Sequence, residues 1–255
     1  MNLELSGKAF LITGGTDGVG LGLAERLLAE GALVGVCGRD EDRLSSARAR
    51  LGESALVFKA DVTVGEELDR LLEAFIDRFG RLDGLVNNAG RSAGVAIENS
   101  SDDEWRDDYE LKVIAALHLT RRAIPLLRVT KGSVVNILAI MARTPHALST
   151  PTTASRAAGL ALTKTLALEE GPHGVRANAI LIGLIESGQW VRRAEAAGEP
   201  LQEYYVERAK ENKVPLGRYG TPGEFADLVS FLLSPRASYI TGVGIALDGG
   251  LSPVI

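Results

Sequence analysis

The chain has 255 residues, 45% of them hydrophobic, with 33 acidic against 28 basic side chains and a formal net charge of −5. That size and mixture fit one domain, residues 1–255, large enough for a wide sheet covered on both faces, and the lack of any basic run argues against nucleic acid or an anionic membrane as partner. The opening MNLELSGK has no basic region followed by an apolar run, and no later stretch approaches a membrane span, so a soluble protein is expected.

Residues 8–24 read as strand, glycine-rich turn and helix. Ala9 to Ile12 form an apolar run short enough for a strand buried on both faces, and Val19, Leu23 and Leu27 then recur at helical spacing. Gly14, Gly18 and Gly20 fall where the period changes, so the backbone turns tightly there and a missing β-carbon lets a bound group approach. The helix that follows presents unpaired N–H groups and a partial positive charge, which suits a pyrophosphate.

A second apolar run, Leu33 to Cys37, ends in Gly38 and Arg39 and precedes a polar helix through Arg50. Cys37 is the only cysteine, which excludes an internal disulfide and a cysteine-based metal site; a reducing, cytoplasmic setting and no bound metal are expected. The run Leu56 to Ala60 ends in Asp61. A helix carrying Leu68, Leu71, Leu72 and Phe75 leads to the run Leu82 to Val86 and the turn Asn87-Asn88-Ala89-Gly90. Asp102 to Leu127 reads as one long helix, with Ser100, Ser101 and Asp102 as capping candidates and closure near Pro125.

Val134 to Leu138 form a fifth strand. The alanine- and leucine-rich helix from about Thr152 to Glu170 is apolar on more than one face, as a helix covered by the sheet and by another subunit would be. Val175 to Leu181 form a sixth strand. Residues 187–213 then depart from the alternation with a charged helical hairpin carrying Trp190, Tyr204 and Tyr205; its place after a strand suits a lid or substrate wall, with a solvated helix pair as the plainer alternative. A helix, Phe225 to Leu233, and a strand, Gly244 to Leu247, close the chain. Such alternation specifies an α/β fold: a Rossmann-type doubly wound parallel sheet of about seven strands with helices on both faces, binding ligands outside the carboxyl ends of the strands.

Several motifs in this order resemble the short-chain dehydrogenase/reductase family over essentially the whole chain. They are Thr13-Gly14 with Gly18 and Gly20, Asp61-Val62 after the third strand, Asn87 to Gly90 after the fourth, Tyr239-Ile240-Thr241-Gly242, and Asp248-Gly249-Gly250. The resemblance implies that the segment from Gly14 through Asp17, Gly18, Val19 and Gly20 holds the cofactor pyrophosphate, that Asp61 and Val62 meet the adenine, and that Asn87, Ala89 and Gly90 support the cofactor. The family's Pro-Gly after the sixth strand is Ile182-Gly183 here. Gly183, Ile185 and Ser187 form the matching loop, with Ser187 where a threonine often binds the nicotinamide amide.

The resemblance also implies a catalytic tetrad of Asn, Ser, Tyr and Lys, and none of the four is present. Counted from flanking residues, the Asn position is Lys112, the Ser position Ala139, and the Tyr and Lys positions Thr152 and Arg156. Ala154-Ser155 and Ala157-Ala158 secure that register. A threonine hydroxyl has no accessible ionisation near neutral pH, Arg156 keeps its proton but can hold ribose hydroxyls or a carboxylate, and Ala139 offers no hydrogen bond. Lys112 and His146 are the candidate replacements for the missing acid, against the plainer readings of an exposed lysine and a surface histidine.

At the second strand's end, Gly38 stands where NAD-specific relatives carry an acid. Arg39, as in many NADP-dependent ones, can pair with a 2′-phosphate. Asp17 stands where such relatives add a second basic residue, so NADP is preferred over NAD only by a small margin. Three functions follow from this sequence: an oxidoreductase acting on a carbonyl or alcohol by a non-standard proton route, a silent nucleotide- or small-acid-binding member acting as sensor or partner subunit, or a non-redox enzyme in the inherited pocket. Lys112, His146 and Arg156 together would suit a carboxylate or acyl thioester. The helices near residues 102–127 and 152–170 are expected to form the subunit interface of a homodimer or homotetramer, as in the resembling family.

Overall fold

A computed structural model describes residues 2–254. In chain order the elements are β1 (Ala9–Thr13), α1 (Gly18–Ala29), β2 (Leu33–Gly38), α2 (Glu41–Leu51), β3 (Leu56–Lys59), α3 (Gly65–Phe79), β4 (Gly84–Asn87), β5 (Gly94–Val95), α4 (Asp102–Tyr109), α5 (Ala115–Thr130), β6 (Ser133–Ala139), β7 (Thr150–Pro151), α6 (Thr152–Glu170), β8 (Arg176–Ile182), α7 (Gly188–Ala197), α8 (Leu201–Glu211), α9 (Pro222–Leu233) and β9 (Gly244–Leu247). Seven strands form a parallel sheet in the order β3-β2-β1-β4-β6-β8-β9. The order turns back between β1 and β4, and at such a switch point the loops after the strands part to leave a crevice.

Side-chain alternation along the strands divides the core in two. Phe10, Ile12, Val34, Val36 and Val86 pack with Leu23 and Leu27 of α1 and Phe225 and Val229 of α9. Ala9, Leu11, Cys37, Leu85 and Val134 pack on the other face with Leu71 and Phe75 of α3 and Leu119 and Ala123 of α5. Every residue of β1 is buried, as the unbroken apolar run requires. Gly35 in β2 makes room for Phe75, whose ring lies 2.5 Å from where a β-carbon would stand.

Two features differ from the sequence reading. The long helix is not uniform: a π-helical turn, Glu110–Ile114, joins α4 to α5, and the helix runs past Pro125 to Thr130. Pro125 and Arg121, whose carbonyl it cannot bond, both lie on the exposed face, where water can take the carbonyl. The second difference is a short antiparallel ribbon, β5 with β7, pairing Gly94 with Pro151 and Val95 with Thr150. It ties the segment after β4 to the start of α6.

Residues 187–213 do fold as a helical pair, α7 and α8. Gly198 ends α7 at a φ of 69°. Tyr204, Tyr205, Ala194 and Ala209 pack with Val214 and Tyr219 into a small core apart from the two on the sheet, with Trp190 and Leu201 against it. The two tyrosines are thus buried packing residues. No helix among the described residues is long and apolar enough to cross a membrane, and they contain no cluster of metal-ligating side chains.

Candidate active site

The crevice at the carboxyl ends of β1, β4 and β6 has two walls. The first is the glycine turn, clasped to the turn after β4 by the side chains of Thr13 and Asn88. Thr13 Oγ1 accepts hydrogen bonds from the Asn88 and Ala89 N–H groups at 3.0 and 3.1 Å, and Asn88 Nδ2 donates to the Thr13 and Gly14 carbonyls at 2.9 Å each. Gly14 has a φ of 63°, and a β-carbon on it would lie 2.9 Å from Ala89 Cα; one on Gly20 would lie 2.5 Å from both Asn88 Nδ2 and the Gly14 carbonyl. Only glycine permits that approach.

Asp17 caps α1, its Oδ1 accepting from the Gly18 N–H at 2.7 Å. The Val19 and Gly20 N–H groups belong to the first turn, which has no intrahelical acceptors. Across the gap stands Ser187, whose Cβ is 3.5 Å from the place of a β-carbon on Gly18. This cradle, lined by backbone donors and closed to any larger residue, fits a dinucleotide pyrophosphate. Gly183 lies against Asp248, and Ile185 forms a parallel bridge with Gly220, so the loop leading to Ser187 is anchored at two points.

Toward β2 and β3, the residues expected to take the 2′-phosphate and the adenine take each other. Arg39 Nη1 donates to Asp61 Oδ2 at 2.9 Å, and Asp61 Oδ1 accepts from the Thr63 N–H and hydroxyl at 3.0 and 2.8 Å. Burial works against the Asp61 charge, yet the hydrogen bonds from Thr63 and Arg39 outweigh it and hold the carboxyl below its ordinary range. Arg43 and Arg192 each come within 3.8 Å of Asp17.

The second wall carries the four substituted positions, and three of them converge. Lys112 sits in the π turn with its side chain wholly buried, which corrects the reading of an exposed lysine. The wider turn belongs to the segment that packs against α6. Its Nζ donates to Asp108, four residues back on α4, and to Thr152 Oγ1 at 2.8 Å. Thr152 Oγ1 also accepts from the Ala93 N–H at 3.0 Å and donates to the Ala93 carbonyl at 3.1 Å. Burial draws the Lys112 ammonium down, Arg156 and Arg91 repel it further, and Asp108 opposes both, leaving a pKa of about 8.

Arg156 donates from Nη1 to the Ile137 carbonyl at 2.6 Å, and its Nη2 lies 3.0 Å from where a β-carbon on Gly90 would stand. Although one edge stays open to solvent, most of the side chain is enclosed, and burial lowers its pKa to about 10, so it is charged at neutral pH. Its Nε and Asn87 Oδ1 are buried without partners, and both residues line a cavity of about 20 Å³ with Lys112 and Asn136. A donor held open beside the cradle suits a ribose hydroxyl. Val62 lines the same cavity.

Ala139 ends β6 with no polar side-chain atom to offer. His146, proposed from sequence as an alternative acid, is not brought into this group: it is exposed, and its Nδ1 is 2.8 Å from the neighbouring Ala147 carbonyl oxygen. Asp108 and Ser155 are the site residues the sequence reading missed. Asp108 is buried and accepts from Ser155 Oγ at 2.6 Å as well as from Lys112. The signal for it was an acid four residues before a base in a helical segment, a spacing that puts the two side chains together.

Residues 14–252 match the family model described as enoyl-(acyl carrier protein) reductase. The chain is 34% identical to L-fucose dehydrogenase of Bos taurus over 251 residues, 98% of this chain and 91% of that one. Among solved structures it is similar, at 35% identity and a TM-score of 0.94, to a short chain oxidoreductase from Pseudomonas aeruginosa PAO1 containing an atypical catalytic center, covering 98% of this chain and 99% of that one. L-sorbose reductase from Gluconobacter frateurii, complexed with NADPH and L-sorbose, has a TM-score of 0.94 at 32% identity, with all of both chains covered.

Proposed function

The chain belongs to the short-chain dehydrogenase/reductase family and is an NAD(P)-dependent oxidoreductase, and from that premise we propose that it reduces the carbonyl of a small substrate with Lys112 as the source of the proton. The observation that carries this reading is the Lys112–Thr152 hydrogen bond, a buried ammonium 2.8 Å from the hydroxyl at the family's tyrosine position. A hydroxyl alone cannot supply a proton near neutral pH, whereas an ammonium with a pKa near 8 can.

A nicotinamide dinucleotide held there would supply a hydride to the carbonyl carbon; the chain's own residues handle the proton. As negative charge develops on the substrate oxygen, Thr152 turns its proton from the Ala93 carbonyl toward that oxygen and accepts one from Lys112. The product is an alcohol, and Lys112 is left neutral until solvent recharges it. Arg156 stays charged throughout, and its open Nε suits the cofactor ribose. Gly14, Gly18, Val19 and Gly20 hold the pyrophosphate, with Ser187 and the loop through Gly183 and Ile185 on the nicotinamide side.

NADPH is preferred over NADH because Arg39 can exchange Asp61 for a 2′-phosphate, with Arg43 at the same edge; Asp17, being acidic, does not help. The site favours an anionic substrate, a keto acid or an oxoacyl thioester, because three cations, Lys112, Arg156 and Arg91, face a single carboxylate, Asp108. L-fucose dehydrogenase and L-sorbose reductase among the relatives make sugar carbonyls the second class to try. The α7–α8 pair serves as the substrate wall. Val129 on α5 and Leu168 on α6 are 84% and 66% exposed, in keeping with a homodimer or homotetramer joined through these helices, and a cytoplasmic setting suits the buried free Cys37.

The test is NADPH oxidation with acetoacetyl thioester, a keto acid, L-sorbose and L-fucose, by the natural protein and by Lys112→Met. Turnover that falls as pH rises through about 8 and is lost in the variant supports the reading. Turnover unchanged in Lys112→Met removes Lys112 from the chemistry. Tight NADPH binding with no turnover of any substrate assigns the chain a binding role.

A further inference from the structure

The residue beside Lys112 that no tetrad position accounts for is Asp108. Its side chain is 1% exposed, on α4, and its two oxygens are divided: Oδ1 takes the Lys112 ammonium and Oδ2 takes the Ser155 hydroxyl at 2.6 Å. A buried carboxylate is expensive unless paired and hydrogen-bonded, and here it is both. We infer that Asp108 is the positioning residue of this site: it keeps the Lys112 ammonium charged and aimed at Thr152, while Ser155 fixes the carboxylate from α6. The inference rests on the reading of Lys112 as proton source and adds what makes that reading workable.

The geometry demands such a residue. Lys112 has a flexible four-carbon stem and reaches Thr152 across from a different helix, whereas the family's hydroxyl and lysine stand four residues apart on one helix. An ammonium among Arg156 of α6 and Arg91 of the segment after β4 would shed its proton or turn away from them. The charged groups around it on every packed element are these two arginines and Asp108, so only Asp108 favours the charged form. Because Asp108 and Lys112 lie four residues apart at the junction of α4 and the π turn, one segment carries both ends of the pair. Ser155 lies between Thr152 and Arg156 in sequence. It joins the carboxylate to the helix that carries the proton-accepting hydroxyl, and the Thr152 carbonyl, 3.0 Å from Ser155 Oγ, is its second available acceptor.

The two partners of Asp108 act in opposite directions. Without the carboxylate, Lys112 faces two cations unopposed, and its proton is lost at lower pH. Without the Ser155 hydroxyl, the carboxylate charge falls more fully on Lys112, and the proton is held to higher pH. No purely structural role predicts that sign reversal.

The experiment follows the ¹³Cε resonance of Lys112 through a pH titration of the full protein with labelled lysine, free of cofactor and substrate, assigned by its loss in Lys112→Met. The natural protein should titrate near 8. Asp108→Asn should lower the midpoint by about one pH unit or more, and Ser155→Ala should raise it. The high-pH limb of turnover with the best substrate should move in parallel, with KM unchanged. If Asp108→Asn does not fold, Asp108→Glu, which keeps the charge, should hold the midpoint within a few tenths of a pH unit, and a fall of a full unit there would overturn the inference. So would an unmoved midpoint in a folded Asp108→Asn, or the same direction of movement in the Asp108 and Ser155 variants. If the midpoints behave as expected but Lys112→Met keeps full turnover, Asp108 still sets the charge of Lys112 and the proton-source reading is what fails.

Discussion

The glycine turn and the Lys112 pocket share one wall, the turn Asn87 to Gly90, yet they are built from different materials. The glycine turn is made mostly of backbone: Gly14 and Gly20 come so close to Ala89 and Asn88 that no side chain fits, the Asn88 side-chain amide donates to the Thr13 and Gly14 carbonyls, and the donors left for a ligand are the N–H groups of the first turn of α1. The Lys112 pocket is made of side chains drawn from α4, the π turn and α6. A backbone site tolerates little change and still works, because its geometry and its chemistry are the same atoms. A side-chain site can be refilled. Here the ammonium of Lys112 and the hydroxyl of Thr152 stand on different segments, the π turn and α6.

That contrast can be broken in order of expected effect. Lys112→Met should lower kcat by about 10²–10⁴-fold, as losing a positioned acid does, while NADPH binding followed by fluorescence stays unchanged. Equal loss of both would mean that the two regions are not separable. Gly20→Ala should do the reverse. Its methyl group meets Asn88 and the Gly14 carbonyl at 2.5 Å, and overpacking of about 1–3 kcal/mol falls on the turn, weakening NADPH by roughly 10–100-fold in a direct titration with little change in kcat at saturation.

Arg39→Met should weaken NADPH by about tenfold, the scale of one exposed charge-assisted contact, and leave NADH unaffected, so the ratio of the two dissociation constants is the measurement. The smallest effect belongs to a residue outside both regions. Glu224 closes the capping box of α9 with Thr221 and pairs with Arg218; those hydrogen bonds hold its carboxyl down at about 2. Because the folded state lowers that pKa, its contribution is present above the unfolded value near 4.3 and fades as pH falls toward 2. After discounting for solvent screening, Glu224→Gln should cost about 0.5–1 kcal/mol at pH 7, read as a small drop in Tm that vanishes in acid, with kcat unaltered.

How far the sequence carried is decided by the same division. Strands of the central sheet and the helix Thr152 to Glu170 were legible because burial on two faces leaves continuous apolar runs and helical spacing. The glycines were legible because their reason is steric. The π turn leaves no mark in hydrophobic periodicity, and the β5–β7 ribbon is too short to show any. Lys112 was found by register, but its burial was not. Its partners are Asp108 from its own segment and Thr152 from 40 residues onward. The Arg39–Asp61 pair was hidden for the same reason: the two residues end neighbouring strands 22 positions apart, and each had a ligand role of its own in the sequence reading.

The small aromatic core under α7 and α8 means that the molecule holds two optical reporters with different assignments. Trp190 packs edge-on against Tyr219, their centroids 5.4 Å apart, with the Arg193 guanidinium 4.7 Å above its ring. Trp105, the only other tryptophan, lies on α4, stacked on Tyr109 and donating to Ser100. One indole therefore registers the helical pair and the other the segment that carries Asp108. Because the cluster around Trp190 is separate from the sheet's two cores, the pair can loosen at a free-energy cost below that of global unfolding. Replacing each tryptophan by phenylalanine in turn would resolve the two emissions, and an earlier red shift of Trp190 on mild denaturation would time the opening of the helical pair while α4 still holds.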